Sequence, residues 1–199
     1  MRTDERFKDR LPKIYVGICA FGDFSHEAFE SFMFWWGQTC AKWCGRAELY
    51  LGLSPRKEQY RARNFLVQYA EEQGADFLLM LDDDQAPGHC PDMLEKFWEL
   101  GKPVMGGLYY QRGGLYHPVV MQEFPGPNDQ RKYRFVTPKE LPTEPTPVDV
   151  VGHGCMWVDM EVYAKLKQPH HWPYPDEVAF VPDEEMRLDV HFCQRVRDM

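Results

Sequence analysis

No run of about eighteen apolar residues occurs anywhere in the 199 positions, so the sequence offers no membrane span. An apolar signal core is missing too. The chain opens Met-Arg-Thr-Asp-Glu-Arg, and a cytoplasmic location is expected. Positive charge is in deficit: 23 Lys and Arg stand against 31 Asp and Glu, for a formal charge of -8. That balance disfavours non-specific binding to nucleic acid while leaving room for a local basic patch. The six cysteines are scattered, and Cys40 and Cys44 sit on a predicted helix, where packing is favoured over a zinc half-site. All six are read as reduced thiols. No internal repeat is present, and a 44% hydrophobic content can fill one core, so a single domain over 1–199 is expected. Aromatic residues, by contrast, are plentiful at 15%, enough for stacking surfaces as well as a core.

Strands and helices alternate through the first half. Ile14 to Cys19 reads as a strand, and Ser25 can cap a helix to about Trp43. On that helix Phe29, Phe32, Met33, Trp36 and Cys40 recur at three- and four-residue spacings as a broad apolar face. Glu48 to Leu53, Phe77 to Leu81 and Val104 to Leu108 read as further strands, separated by helices over Glu58 to Gln73 and Asp92 to Leu100. This order predicts an α/β fold with a mostly parallel, doubly wound sheet flanked by helices. The pattern then changes. His117 to Val136 reads as a small antiparallel hairpin turning at Pro125-Gly126-Pro127-Asn128-Asp129, and Thr137 to Pro147 as an extended loop. Strands at Val148 to Val151 and Cys155 to Val158 flank Gly152-His153-Gly154. A helix covers Asp159 to Leu166, Gln168 to Pro182 reads as an aromatic loop, and a last helix begins near Leu188.

Asp82-Asp83-Asp84 is the most informative stretch. It follows directly on Phe77-Leu78-Leu79-Met80-Leu81, which reads as a buried parallel strand. Adjacent carboxylates repel one another and are costly at a strand end in low dielectric, so a positive partner is expected. A hard divalent cation that itself carries a diphosphate meets that need. The C-terminal ends of such strands are also where ligands of open α/β sheets bind. The alternative is a solvated acidic turn capping the helix that starts near Pro91.

Three further stretches join this one in a resemblance: Tyr60-Arg61-Ala62-Arg63-Asn64-Phe65, Gly106-Gly107-Leu108-Tyr109-Tyr110-Gln111-Arg112, and Val148-Asp149-Val150-Val151-Gly152-His153-Gly154. With Leu188-Asp189-Val190-His191-Phe192-Cys193-Gln194-Arg195 they make the chain, from about 14 to 197, resemble glycosyltransferases of the GT-A fold. It is closest to family 2 and to the short stand-alone glycosyltransferases of bacteriophages. The resemblance implies a GT-A-like, Rossmann-like domain with a nucleotide-sugar half over about 14–110 and an acceptor half over about 111–199. If phage-encoded, the protein would work in the host cytoplasm.

The resemblance also implies roles. Asp82 and Asp84 match the outer positions of the Asp-x-Asp motif. Asp84 would bind Mn²⁺ or Mg²⁺, Asp82 would bind it through water or hold the donor ribose, and Asp83 would support the loop. Arg63 and Asn64 match the pair near the diphosphate of the nucleotide-sugar donor, with a UDP-sugar the first expectation. Asp189 matches the general base of inverting members. Leu188 stands where the family carries Glu, so Glu184 and Glu185 are the fallback. His191 is a candidate third metal ligand, with a structural role as its alternative. Tyr109, Arg112, Gly152, His153 and Gly154 fall on the acceptor side, where glycine lets an acceptor approach the backbone. Tyr110, Trp157 and Trp172 are further stacking candidates. Leu51-Gly52-Leu53-Ser54-Pro55-Arg56 carries no acid after the second strand where relatives read the donor base. The acceptor is a hydroxyl, on a hydroxymethylated DNA base, a protein or a glycan. Two alternatives stand beside this reading. A nucleotidyltransferase would carry a Gly-rich loop after the first strand, of which Phe21-Gly22-Asp23-Phe24 is a poor version. A catalytically inactive GT-A domain would serve as a binding module.

Overall fold

Phe77–Asp82 (β3) lies at the centre of the main sheet because its first five side chains are all apolar and all buried, a strand covered on both faces. The computed structural model describes residues 4–20, 22, 24–54, 58–111, 117–126, 131–166 and 187–199. Lys13–Cys19 (β1) pairs in parallel with β3 on one side and with Glu48–Leu53 (β2) on the other. On its far side β3 pairs antiparallel with Cys155–Asp159 (β8), which in turn pairs antiparallel with Val104–Gly106 (β4). The five strands run in the order β2-β1-β3-β8-β4.

This arrangement adds a strand order that the alternation of elements left open. Val104–Gly106 does form a strand running with the parallel set, but it does not neighbour β3. A strand from the second half of the chain, with buried Met156, Trp157 and Val158, takes the central place instead. The hairpin is where the pattern puts it. Val120–Pro125 (β5) pairs with Arg131–Phe135 (β6), and the two-residue Val150–Val151 (β7) completes a separate three-stranded antiparallel sheet.

Helices cover both faces. His26–Trp43 (α1) and Met93–Leu100 (α3) share one core with Ile14, Val16, Ile18, Phe77, Leu79 and Trp157. Gln59–Glu72 (α2), Met160–Lys165 (α4) and Arg187–Arg197 (α5) share the other with Leu78, Met80, Met156 and Val158. Ser25 caps α1 by accepting from the Ala28 N–H at 3.1 Å. α3 ends where Gly101 takes φ +59°, a left-handed conformation that glycine adopts without a Cβ penalty. The inward face of α1 differs from the sequence reading: Ala28, Phe32, Trp35, Thr39 and Trp43 are buried, whereas Phe29 and Met33 are about half exposed. Aromatic spacing alone offers two overlapping stripes, and the one that holds Ala28, Trp35 and Trp43 is the buried one. Among the described residues no helix is long and apolar enough to cross a membrane.

Candidate functional site

The acids begin where β3 leaves the sheet. Asp82 is the last residue of the strand, and its backbone N–H donates to the Gly154 carbonyl at 3.0 Å, tying the strand end to the loop before β8. From the turns after it, Asp83 Oδ2 accepts from the Gly22 N–H at 2.8 Å, and Asp84 Oδ1 accepts from Gln85 Nε2 at 3.0 Å. The acids thus take different polar partners, while Asp83 still adds to the upward push on the Asp82 carboxyl.

Arg63 stands in the second turn of α2 and is only 3% exposed. Its Nη2 lies 3.3 Å from Asp82 Oδ1, and its Nη1 donates to the His153 carbonyl at 3.3 Å. Burial lowers the guanidinium's affinity for its proton, yet Asp82, Cys19 and Asp189 outweigh that and hold it above its ordinary value. A cation this enclosed is fixed in its own network, so Arg63 grips Asp82 and the loop before β8 rather than reaching outward. Asn64 follows it, half-buried.

The loop turns inward as well. His153 is fully buried, and its Nδ1 is paired with Asp189 Oδ1, which also accepts from the His153 backbone N–H at 3.3 Å. Burial, then Arg63, drives the imidazole well below its usual range, so His153 is neutral. An ionised Asp189 can only accept, which places the neutral ring's proton on Nδ1. Asp189, in the first turn of α5, is 6% exposed. Burial pushes its carboxyl up to about 6, against the opposing pull of Arg63 and the His153 N–H. Asp82 is shifted the same way, by burial first and with Asp189 contributing.

The two loop glycines pack closely against a side chain of the same chain. A Cβ on Gly154 would lie 2.7 Å from Tyr109 Cζ, and a Cβ on Gly152 would meet the same hydroxyl and Val119. The Tyr109 hydroxyl accepts from the Gly154 N–H at 2.9 Å, and burial raises its own pKa. The space beside these glycines is filled by the chain's own tyrosine, and His153 points toward Asp189. Gly152, Gly154 and Tyr109 thus brace one another.

The remaining expectations divide three ways. Trp157 is core, 1% exposed and stacked on Phe77 at 4.8 Å between ring centroids, whereas Tyr110 is exposed. His191 is half-buried on α5. Among the described residues no group of three or more His, Cys, Asp and Glu could hold a metal ion, so Asp82, Asp84 and His191 do not converge into such a set. Arg112, Trp172, Glu184 and Glu185 lie outside the described residues. Sequence reasoning missed the Arg63 bridge, the His153 pairing, and Gly22 and Gln85 as partners of the acids. The only available signal was the unusual His between two glycines.

Asp82 and Asp84 are of the donor type a hard divalent ion takes. Carboxylate oxygens are the hard donors that Mg²⁺ and Mn²⁺ take. One or two of them, with the rest supplied by substrate phosphates and water, is the usual magnesium arrangement. Among the described residues Asp82 and Asp84 offer such donors, and no group of three or more ligand-type side chains surrounds them.

No protein-family profile matches the chain, and no curated protein matches it. Among solved structures it is similar to A197 from STIV, at 16% identity and a TM-score of 0.54, over 94% of this chain and 78% of that one. A second is a glycosyltransferase involved in the glycosylation of the major capsid of PBCV-1, at 15% identity and a TM-score of 0.33, over 94% of this chain and 90% of that one. At these identities the likeness to A197 is one of fold: a mixed α/β chain with helices on both faces of a largely parallel sheet.

Proposed function

We propose that this protein is a GT-A-type glycosyltransferase that moves a sugar from a nucleotide-sugar, with a UDP-sugar the first choice, to a hydroxyl acceptor with Mn²⁺ or Mg²⁺. One observation carries the reading: Arg63 and His153 join Asp82, at the end of the central strand, to a buried Asp189 from the far end of the chain. Residues from all five stretches behind the sequence resemblance meet here: Arg63, Asp82, Tyr109, His153 and Asp189. When bound, the ion would neutralise the departing diphosphate as a Lewis acid. Asp82 and Asp84 would hold it, and Arg63 would keep Asp82 ionised and aimed.

Asp189 would take the proton of the acceptor hydroxyl as the new glycosidic C–O bond forms and the bond to the diphosphate oxygen breaks. A carboxyl pushed up to about 6 is a better base than an exposed aspartate while remaining largely ionised at neutral pH. His153, donating from Nδ1, would fix the orientation of Asp189. Hydroxyl acceptors on a hydroxymethylated DNA base, a protein or a glycan all satisfy this chemistry.

The burial of Asp189 also favours a second reading, a binding module that holds nucleotide-sugar without transferring it. Single-turnover assays with a panel of nucleotide-sugars and Mn²⁺ separate the two. The enzyme releases nucleoside diphosphate, and Asp189→Asn lowers its rate by roughly 10²–10⁴-fold with little change in donor affinity. A wild-type chain that binds donor yet neither transfers nor hydrolyses the sugar is a binding module.

A further inference from the structure

The main sheet is closed on one side by no other strand. β2 pairs with β1 along one edge, and among the described residues nothing pairs with its other edge. The Glu48 N–H donates to the Pro12 carbonyl and the Ser54 N–H to the Ile18 carbonyl, both inward toward β1. Main-chain groups alternate sides along a strand, so those of Leu49, Leu51 and Leu53 point outward. Their side chains share one face of the sheet: Leu49 packs against the core under α1, while Leu51 and Leu53 are 39% and 53% exposed.

The helix on that face extends the patch. On α1, Ser31 Oγ accepts from the Gly88 N–H and Lys42 pairs with Glu95, so that flank looks toward α3. At 100° per residue, Phe29, Met33, Trp36 and Cys40 fall on the opposite flank, toward β2. Phe29 and Met33 are 51% and 49% exposed. Neither the strand between Leu49 and Leu53 nor this helical stripe contains a charged residue, although 27% of the chain is charged. The devices that usually blunt an edge, an inward lysine or a proline, are absent from the strand.

We propose that this edge and flank form a two-fold interface with a second copy of the chain. The strand is complementary to itself. Antiparallel pairing about Leu51 sets Leu51 against Leu51 and Leu49 against Leu53, so every outward N–H and C=O of these leucines meets a complementary group. The same pairing keeps the leucines on the α1 face and brings the two α1 stripes toward each other across the axis. Its uncharged surface lets two chains of formal charge -8 meet without placing like charges in contact. Such a contact is isologous and closes at two copies. The proposal is independent of any sugar-transfer activity.

Sedimentation equilibrium of the full chain, from low to high micromolar, tests it. The expected result is a monomer–dimer equilibrium with no larger species. Leu51→Pro removes only an outward N–H, so the β1 ladder survives, and the dimer weakens at least about tenfold because both copies lose bonds together. Leu51→Lys, which sets two like charges face to face at the axis, does the same and carries the test should the proline variant melt early. A wild-type chain that stays monomeric, one that forms open-ended polymers, or a dimer that both folded variants leave intact would overturn the proposal.

Discussion

The parallel strands of the main sheet carry an arginine–carboxylate cluster at each end, and the two are built on opposite principles. At the N-terminal ends, Arg10 pairs with Asp76 and Arg6 with Asp4, Asp159 and Glu161, around an open cleft of about 580 Å³. These arginines, Arg6 and Arg10, are 32% and 49% exposed in their side chains, and solvent screens their pairs. At the C-terminal ends Arg63 is 4% exposed in its side chain and faces Asp82, itself 26% exposed, and the buried Asp189, so it is the cation that differs between the two ends. Burying charge is costly unless the geometry compensates, and this chain buries the arginine at one end only. The difference marks where the fold gives up stability for preorganisation.

The sharpest break in the comparison is Arg63→Met. It leaves Asp82 and Asp189 without their cation and should cost about 3–5 kcal/mol, the usual penalty for removing one partner of a buried pair. Urea denaturation of wild type and variant measures it. Loss of less than about 1 kcal/mol would place Arg63 with the screened pairs of the other end.

The pH dependence comes next. The folded pKa of Asp189, about 6, lies above its ordinary value of 3.8, so the folded state holds the proton more tightly than the unfolded chain. That contribution is present at acid pH and is lost as pH rises from about 4 to about 6. A carboxyl raised this far contributes about 3 kcal/mol. His153, held neutral, acts in the opposite sense, losing stability as pH falls through its unfolded value of 6.5. Asp189→Asn isolates the carboxylate: the stability of wild type relative to the variant should fall by that amount between about pH 4 and pH 7. A constant difference across that range would mean the carboxylate titrates as if exposed.

Gly154→Ala should cost about 1–3 kcal/mol by driving a methyl group into the Tyr109 ring. In the background of Tyr109→Ala the same change should cost markedly less, a coupling that a double-mutant cycle reads. Additive losses would show that the tyrosine is not what the glycine accommodates.

These residues also show how far the sequence alone could be read. β2 and the hairpin lie where their patterns put them, because alternation and turn residues act over a few positions. The insertion of β8 between β3 and β4 was hidden, since strand order depends on pairing between segments about 50 to 80 residues apart in the chain. At the site, the strand running into Asp82 was plain from its apolar run. The roles of Arg63 and His153 were not. A buried arginine and a surface arginine look alike in sequence, and a glycine that yields to a tyrosine from its own chain looks like one that yields to a ligand.

The smallest effect is expected at the exposed end. Arg10→Met should cost no more than about 1 kcal/mol and should weaken further in high salt, whereas the penalty at Arg63 should hardly respond to salt. Matched denaturation curves at low and high ionic strength compare the two ends directly. A salt-sensitive Arg63 would erase the distinction.

The central claim, that the buried end is a metal-assisted diphosphate site, is tested most directly by thermal stability with nucleoside diphosphate, in Mn²⁺ or in EDTA. At a hundredfold excess over the dissociation constant the account predicts about 2.7 kcal/mol of stabilisation in Mn²⁺, little in EDTA, and none in Asp84→Ala. Equal stabilisation with and without the ion, or full retention of it in Asp84→Ala, would contradict the account.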